Sequence, residues 1–305
     1  MRTATMAMLL LVFAPNLIAQ EPKAKKVLFI GIDGLRTDAL RAAETPNFDE
    51  LIAHGAMADD TDILPERYQK QETISGPGWS NLLTGVWADK HGVHENEFRD
   101  HKLGDFPPFF VRLKEQRPAA RTASFVDWSQ LELLRAGSDV HKVFPAEGAE
   151  GYTKADAELT KAASKVLRNE DVDAAFVYLG QVDETGHAHG FHPTVPEYMA
   201  AIERVDRHIG TLLLALRSRD KYAHEDWLIL ACTDHGGQGT GHGQGHNVPE
   251  IRIIWLLASG PSAARGKIEQ PTYQVDIAAT ALAHLGVELD PEWKLDGKPV
   301  GLKAD

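Results

Sequence analysis

Short apolar segments of this chain lead directly into acidic and histidine side chains, and this pattern limits the folds that the chain can adopt. The segment KKVLFIGI precedes Asp33, and WLILACT precedes Asp234 and His235. A third segment, AAFVYLGQ, leads to Asp183 and His187. Continuous apolar runs of this kind are typical of parallel strands that are buried on both faces. Because ligands bind beyond the carboxyl ends of such strands, we expect these side chains to converge at one edge of a sheet.

A further histidine, His242, lies in the glycine-rich stretch beyond the last of these segments. Mixed carboxylate and imidazole groups are ligands that zinc accepts in sites of more than one ion. The formal net charge of -12 and the lack of a basic block argue against a surface that grips nucleic acid. Any specificity for phosphate would therefore come from bound metal ions.

The alternation of strand and helix patterns predicts an α/β fold, with a mainly parallel central sheet and helices on both faces. Thr45-Pro46 and the following NFDELIAHG predict a helix with proline at its first position and a stop at Gly55. Residues 196–216 repeat apolar side chains at helical spacing. Residues 59–72 are polar without a clear period, which predicts a loop or small insertion near the site. The predicted strands are 27–32, 122–126, 174–179, 227–231 and 251–258.

The first nineteen residues differ from the rest of the chain. Arg2 precedes an apolar stretch over residues 8–13, and the small Ala19 precedes polar residues, which is typical of a cleaved signal peptide. The apolar stretch is too short to span a bilayer core of about 30 Å. The alternative, a retained membrane anchor, is disfavoured by Pro15. We therefore expect a signal peptide over residues 1–19 and a periplasmic or secreted protein without a membrane span.

The remaining length, residues 20–305, is enough for a single large catalytic domain. With 305 residues in all and 43% hydrophobic content, the chain can bury a sizeable core without a second folded unit.

The stretch TISGPGWS offers a candidate nucleophile. Two glycines and a proline break the chain directly after Ser75, and such a turn can expose one side chain at the start of a helix. The unpaired N–H groups and the dipole of a helix start also favour a bound phosphate. A serine hydroxyl needs a metal ion or an adjacent base to ionise it. A purely structural turn is the alternative, and Thr73 is a second candidate nucleophile.

Taken in order, several segments resemble the alkaline phosphatase superfamily and, within it, the nucleotide pyrophosphatase/phosphodiesterase branch. VLFIGIDGLR resembles the first metal strand, TPNFDELIAHGA the following helix, and SGPGWSNLLTGVWADKHGV the nucleophile helix. VDETGHAHG, TDHGGQGTGHG and QVDIAATALAHLG follow, the last resembling the C-terminal helix. Together these segments cover nearly the whole mature chain, and an ordered series is more specific than any one motif.

The resemblance implies a hydrolase with two divalent metal ions, most often Zn²⁺, about 4 Å apart. It further implies that Ser75 attacks phosphorus and becomes phosphorylated, and that hydrolysis of this intermediate completes a double displacement. One ion would be held by Asp183, His187 and His242, and the other by Asp33, Ser75, Asp234 and His235.

The resemblance implies a small-molecule phosphate ester as substrate, and Asn96 bears on whether that ester is a diester or a monoester. It follows His91-Gly92 at the interval at which the phosphodiesterase branch carries an asparagine that contacts a non-bridging phosphate oxygen. An amide suits the single charge of a diester, whereas monoesterases of the superfamily typically aim a guanidinium at the phosphate. We therefore expect a phosphodiesterase. Arg36 and Arg99 remain candidates for a guanidinium, and Asn96 could instead cap a turn.

Some features depart from the family pattern. The branch usually has threonine in a Thr-x-Pro-Asn turn, where this chain has serine followed by Gly-Pro-Gly. Sulfatases of the superfamily carry an arginine where this chain has Trp79. A phosphomonoesterase or sulfatase is the alternative within the superfamily. An inactive exported metal-binding protein is the alternative of another class.

Additional histidines leave the ligand set open at two places. GTGHGQGHNVPE contains both His242 and His246, and the Gly-His-Gly setting favours His242. The spacing Asp-x-x-x-His favours His187 over His189 and His192, which we expect to be loop residues or outer hydrogen-bond partners. The aromatic Phe98 could flank a leaving group, although packing is the more common role for such a residue.

Overall fold

A mixed sheet of eight strands forms the centre of the computed structural model, which describes residues 23–64 and 71–304. The signal peptide predicted over residues 1–19 lies outside these described residues. In chain order the strands are β1 (Ala24–Ile32), β2 (Gly55–Asp62), β3 (Thr122–Val126), β4 (Val140–Val143), β5 (Ala174–Leu179), β6 (Glu225–Cys232), β7 (Ile253–Ser259) and β8 (Gly266–Lys267).

The strand order is β4-β3-β5-β1-β6-β7-β2-β8. Neighbouring strands are parallel from β4 through β6, and β2 is parallel to β8. Only β7 runs against its described neighbours, β6 and β2. The prediction of a mainly parallel sheet is confirmed, and β1 lies between β5 and β6 as a central strand.

Helices cover both faces of the sheet, as predicted. They are α1 (Thr37–Ala42), α2 (Pro46–Ala53), α3 (Ser75–Thr84), α4 (Ala88–His91), α5 (Phe109–Gln116), α6 (Gly148–Asn169), α7 (Gln181–His189), α8 (Pro196–Arg217), α9 (Pro249–Arg252) and α10 (Asp276–His284). Among the described residues, no helix combines the length and the apolar character needed to cross a bilayer.

The sheet separates two hydrophobic cores, and β1 contributes to both. Val27 and Phe29 pack into the core beneath α3, α5 and α10, while Leu28, Ile30 and Ile32 pack into the core beneath α2, α6 and α8. Successive side chains of a strand point to opposite faces, so a strand covered on both sides must be apolar at every position. This requirement explains the continuous apolar runs of the sequence.

Two sequence predictions need correction. Residues 59–62 belong to β2 and not to a loop. This strand is paired on one side only by the two-residue β8, and Asp60 is exposed while Thr61 is buried, so the strand tolerates polar residues. The strand predicted over 251–258 begins at Ile253, because Pro249 starts the short helix α9.

Trp79 of α3 is fully buried and packs directly on the main chain of β1 at Gly31. A Cβ atom at Gly31 would lie 2.4 Å from the Trp79 ring. The indole cannot move freely, because its Nε1 donates a hydrogen bond of 2.9 Å to Asp33 Oδ2.

We therefore expect Gly31→Ala to lower the free energy of unfolding by about 1–3 kcal/mol, the usual cost of overpacking a core. Urea unfolding of the two proteins measures the difference. Gly104→Ala is the matched control, since a Cβ there meets no atom within 4 Å. The control should stay within about 0.5 kcal/mol of wild type. Equal midpoints for Gly31→Ala and wild type would contradict this account of the packing.

Candidate metal centre

The carboxyl ends of three adjacent strands bring the predicted metal ligands together. Asp33 follows β1 directly, and Asp234 and His235 follow β6. Asp183 and His187 lie on α7, the helix that follows β5. Because β1 pairs with both β5 and β6, these side chains meet at one edge of the sheet.

One group of side chains surrounds the hydroxyl of Ser75. Its Oγ lies 3.2 Å from His235 Nε2 and 3.4 Å from Asp33 Oδ1. His235 Nε2 in turn lies 3.4 Å from Asp33 Oδ1 and 3.2 Å from Asp234 Oδ2. All four residues are buried, and their ligand atoms point toward one another. Three of them, the two aspartates and the histidine, could hold one metal ion.

A second group adjoins the first. His187 Nε2 lies 3.3 Å from Asp183 Oδ2, and His242 Nε2 lies 3.5 Å from Asp183 Oδ1. The two histidine Nε2 atoms are 3.0 Å apart. The rings of His242 and His235 stack with centroids 3.7 Å apart, so the two groups share a wall. His235 is also close enough to join Asp183 and His242 around a single ion.

The orientation of the three histidine rings is fixed by one ring nitrogen. Nδ1 of His187, His235 and His242 each lies 2.9 to 3.0 Å from a main-chain carbonyl oxygen. A carbonyl oxygen can only accept, so each Nδ1 carries a proton and Nε2 is the nitrogen left to bind a metal ion. This arrangement is the one that orients histidine ligands of metal ions.

The electrostatics of the groups also fit bound cations. Burial, followed by the charges of neighbouring carboxylates, raises the pKa of Asp33 and raises that of Asp234 well above its usual range. Asp183 Oδ1 and Asp234 Oδ2 are buried and receive no hydrogen bond from the described residues. Burial and the neighbouring His235 lower the pKa of His242 to about 2. Carboxylate oxygens without protein donors and imidazole nitrogens are a donor set that suits two divalent ions.

Two aromatic residues hold the outer oxygen of Asp33. Trp79 Nε1 donates to Asp33 Oδ2 at 2.9 Å, and the Tyr178 hydroxyl donates to the same atom at 2.6 Å. Oδ1 is thereby left to face the cluster. Sequence reasoning missed both partners. Their positions carried a signal, since Trp79 lies one helical turn beyond Ser75, and Tyr178 lies on the strand beside β1.

Ser75 is the first residue of α3, and two glycines allow this helix start to approach the cluster. A Cβ atom at Gly76 would lie 2.7 Å from a main-chain carbonyl oxygen, and one at Gly78 would lie 2.9 Å from Asp234 Cβ. Both positions therefore require glycine unless the surroundings shift. This is a physical reason for the Gly-Pro-Gly sequence that departs from the family pattern.

Asn96 lies beside the helix start and lines the cavity in front of Ser75. Its Oδ1 accepts a hydrogen bond of 2.7 Å from the main-chain N–H of Gly76. Its amide nitrogen is therefore the group that can donate into the cavity. The cavity has a volume of about 360 Å³, and its described lining contains no lysine or arginine.

The alternative histidines and the alternative nucleophile from the sequence make hydrogen bonds outside the two ligand groups. His246 Nε2 lies 2.8 Å from the carbonyl oxygen of Gln71, and His192 contacts a threonine hydroxyl in its own loop. The Thr73 hydroxyl donates to the carbonyl oxygen of His242 and accepts from the N–H of Gly245. Both contacts make Thr73 a link between two loops.

Neither candidate arginine lines the cavity. The Arg36 guanidinium is buried, donates to the carbonyl oxygens of Phe191 and Gly237, and pairs with Asp38 at 2.6 Å. Arg99 is exposed, with its guanidinium 3.8 Å from Glu95.

The wall of the same cavity contains residues that sequence reasoning missed. Trp128, Tyr152 and Glu184 line it, and Trp128 is only half-buried. Phe98 is buried, and its ring lies 6.3 Å from that of Trp128, so it supports this wall from behind. Packing is thus the role of Phe98. Glu184 could have been noticed because it directly follows Asp183 at the start of α7.

The sequence model of the family described as type I phosphodiesterase / nucleotide pyrophosphatase matches residues 27–251, a range that includes every residue of both groups. The chain belongs to this family. The predicted resemblance is confirmed.

Individual relatives in this phosphodiesterase family share a modest fraction of residues with the chain. Human ectonucleotide pyrophosphatase/phosphodiesterase family member 7 is 27% identical over 253 residues, which cover 77% of this chain and 52% of the relative. The rat protein of the same name is 25% identical over 236 residues, covering 71% and 51%. The chain thus spans about half the length of these curated relatives.

Solved structures of similar fold come from phosphodiesterases and sulfatases. Murine ectonucleotide pyrophosphatase/phosphodiesterase 5, as an inactive form in complex with AMP, has a TM-score of 0.64 and 16% identity, covering 88% of this chain and 96% of that one. A 2-O GAG sulfatase has a TM-score of 0.73 and 14% identity, covering 91% and 73%. At these identities the similarity shows a shared fold, which confirms the predicted fold class.

Substitution of the two neighbouring histidines distinguishes them as ligands. We expect His242→Ala to lose one of two bound zinc ions, because its Nε2 faces Asp183. His246→Ala should keep both, since its Nε2 is directed at the Gln71 carbonyl. Zinc content after equilibration and removal of free metal measures this difference. The assignment is wrong if His246→Ala loses an ion and His242→Ala does not.

Proposed function

We propose that this protein is an exported phosphodiesterase that depends on two divalent metal ions and acts through a phosphorylated Ser75. The mixed carboxylate and imidazole ligands favour Zn²⁺ as the ion. The observation that carries the proposal is the position of the Ser75 hydroxyl. It lies within 3.4 Å of both Asp33 and His235 at the start of a helix, inside a donor set that suits two cations. Export rests on the signal-peptide pattern of residues 1–19.

The ligands divide into two sets. When bound, the two ions supply Lewis-acid stabilisation for a serine alkoxide and for the negative phosphoryl oxygens. A serine that is activated in this way needs no histidine as general base. We assign one ion to Asp183, His187 and His242, and the other to Asp33, Ser75, Asp234 and His235.

The chain's own groups then carry out a double displacement. Ser75 gives up its hydroxyl proton to solvent, and its Oγ forms a bond to phosphorus as the bond between phosphorus and the leaving oxygen breaks. The leaving oxygen takes a proton from solvent. Water then attacks the phosphoserine, and the Ser75 oxygen leaves and regains its proton. Throughout, the Asn96 amide is placed to donate a hydrogen bond to a non-bridging oxygen, while its Oδ1 stays fixed by Gly76 N–H.

The charge of the cavity wall favours diesters over monoesters. Cationic side chains balance the two charges of a monoester dianion, and the described lining of the cavity contains none. Arg36 donates to a main-chain carbonyl outside the cavity, and Arg99 lies near Glu95. A diester carries a single negative charge, which the metal ions and one amide can balance. This contrast supports the phosphodiesterase proposal.

The aromatic wall suits a flat leaving group. Trp128 and Tyr152 line the cavity beyond Ser75, and such rings can stack on a nucleobase or an aryl group. The names of the relatives, and the AMP in the murine structure, point in the same direction. We therefore propose nucleotide or aryl phosphodiesters as the substrate class.

Loss of the Ser75 hydroxyl should abolish turnover. Ser75→Ala is expected to lower kcat by at least about 10³-fold, since the nucleophile itself is removed. Ser80→Ala is the matched control on the same helix, because its hydroxyl donates to the Gly76 carbonyl and lies outside the cavity lining. Steady-state assays of both variants with zinc present, using bis(p-nitrophenyl) phosphate, measure the effect. Full activity of Ser75→Ala would refute the mechanism.

A comparison of esters tests the substrate class. Zinc-loaded protein should cleave bis(p-nitrophenyl) phosphate with a higher kcat/KM than p-nitrophenyl phosphate or p-nitrophenyl sulfate. Asn96→Ala should reduce diester turnover by about 10²-fold, as expected for loss of one oxyanion donor. Asn169→Ala, whose amide is exposed and bonds only within its own helix, is the control. Preference for the monoester or the sulfate would reassign the enzyme within its superfamily.

A further inference from the structure

Two aspartates that take no part in the proposed chemistry are buried directly behind the cavity wall. Asp127 follows β3, and Asp156 lies on α6; both side chains are fully buried. They lie where the main chain passes from β5 into α7. Asp156 Oδ1 accepts from the N–H of Gly180 at 3.1 Å, and its Oδ2 accepts from Gln181 Nε2 at 2.6 Å. Both lone-pair positions that face α7 are therefore in use.

Asp127 has a different environment from its partner. Neither of its oxygens makes a hydrogen bond of good geometry with a described residue, and the nearby Gly180 N–H donates to Asp156 instead. A Cβ atom at Gly180 would lie 2.9 Å from Asp127 Oδ1, so this carboxyl lies against the same turn that Asp156 binds. A buried ionised carboxylate without a donor would be very costly.

A proton held between Asp127 and Asp156 removes the free-energy cost of burying an ionised Asp127. Burial, then the charge of Asp156 and a hydrogen bond to it, raise the pKa of Asp127 well above its usual range. Two carboxyl groups in contact at a buried site cannot both ionise, so they hold one proton between them. The contacts decide which group carries it. Asp156 needs both oxygens as acceptors for α7, and Asp127 has only its own proton to offer.

The turn that Asp156 holds determines where a metal ligand lies. Gln181 is the first residue of α7, and its Oε1 accepts from Arg204 Nε of α8 at 2.9 Å. Asp183 follows two residues later. Its Oδ1 has no hydrogen-bond partner among the described residues, so the position of the helix start contributes to where this atom lies.

We propose that Asp127 and Asp156 form a carboxylic acid–carboxylate pair, in which Asp127 donates the shared proton and Asp156 positions the start of α7 so that Asp183 can bind metal. Both are positioning residues, since neither lines the cavity. The role rests on the metal centre of the proposed function.

Asp127 donates a proton and Asp156 only accepts, so asparagine substitutions at the two positions should have different effects on zinc binding. Asparagine at position 127 still donates to Asp156, so Asp127→Asn should bind zinc within about threefold of wild type. Asparagine at position 156 has one acceptor for two donors, so one of Gly180 N–H and Gln181 Nε2 loses its partner. Asp156→Asn should therefore weaken zinc binding by about 10- to 100-fold, the usual cost of disturbing groups that orient metal ligands. Titration of zinc against a chelator measures both variants.

Equal weakening in the two variants, or zinc binding at wild-type strength in Asp156→Asn, would overturn the proposal. Ser75→Ala protein should show the same pattern at positions 127 and 156 as protein with Ser75. The result is therefore independent of which ester is cleaved, and a failure to cleave diesters would not be confused with a failure of the pair.

An infrared measurement tests the proton directly, even if Asp156→Asn does not fold. In zinc-loaded protein at pH 8, the carbonyl stretch of a protonated carboxylic acid should be present in wild type and absent in Asp127→Asn. Asp276→Asn is the control. Burial raises the pKa of Asp276 to about 6, so it is ionised at pH 8 and its replacement should leave the acid band unchanged. If Asp127→Asn removes no acid band, the pair holds no proton and the proposal fails.

Discussion

The mutual repulsion of three buried carboxylates is the constraint on which the rest of this structure depends. Asp33, Asp183 and Asp234 meet at the carboxyl ends of the central strands, and burial with neighbouring charge raises the pKa of Asp33 and of Asp234. Protein donors offset only part of this electrostatic repulsion; Trp79 and Tyr178, for example, donate hydrogen bonds to one oxygen of Asp33. Asp33 Oδ1, Asp234 Oδ2 and both oxygens of Asp183 instead lie within 3.5 Å of histidine Nε2 atoms. Bound cations would offset this repulsion, so the proposed metal centre would stabilise the folded state as well as serve the reaction.

Close approach of the main chain is the means by which these groups are crowded together. Gly34 has a φ of +66°, and a Cβ atom there would lie 2.6 Å from Asp183 Oδ1. Gly78 has the same relation to Asp234 on the opposite side. Any larger residue at either position would push a carboxylate out of the cluster. The glycines that border the ligands in the sequence are therefore part of the site, because they set how near α3 and the end of β1 can come to it.

The sequence allowed the ligands to be predicted better than the cavity that surrounds them. Asp33 and Asp234 each follow a buried strand, and parallel strands bring their carboxyl ends to one edge whatever their order. The reversed direction of β7 was not predictable, since an apolar run looks the same in both directions. Trp128 was missed for another reason. Its place in the same cavity as Ser75 depends on where β3 lies in the sheet, and strand order has no local signal. The pairing of Asp127 with Asp156 is equally a product of tertiary structure.

The two ligand sets differ in solvent access at one residue, His187, and this difference gives the proposed reaction a direction. The side chain of His235 is fully buried, whereas that of His187 is 41% exposed. Ser75 lies on the buried side, in contact with His235. An in-line displacement places the leaving group opposite the nucleophile, so a leaving group must face away from Ser75, toward the open part of the cavity. Water that hydrolyses the phosphoserine must then enter by the route that the leaving group vacates. In the proposed reaction, the ligand set around Ser75 and His235 therefore serves the nucleophile. The set that includes the exposed His187 serves the exchange of leaving group for water.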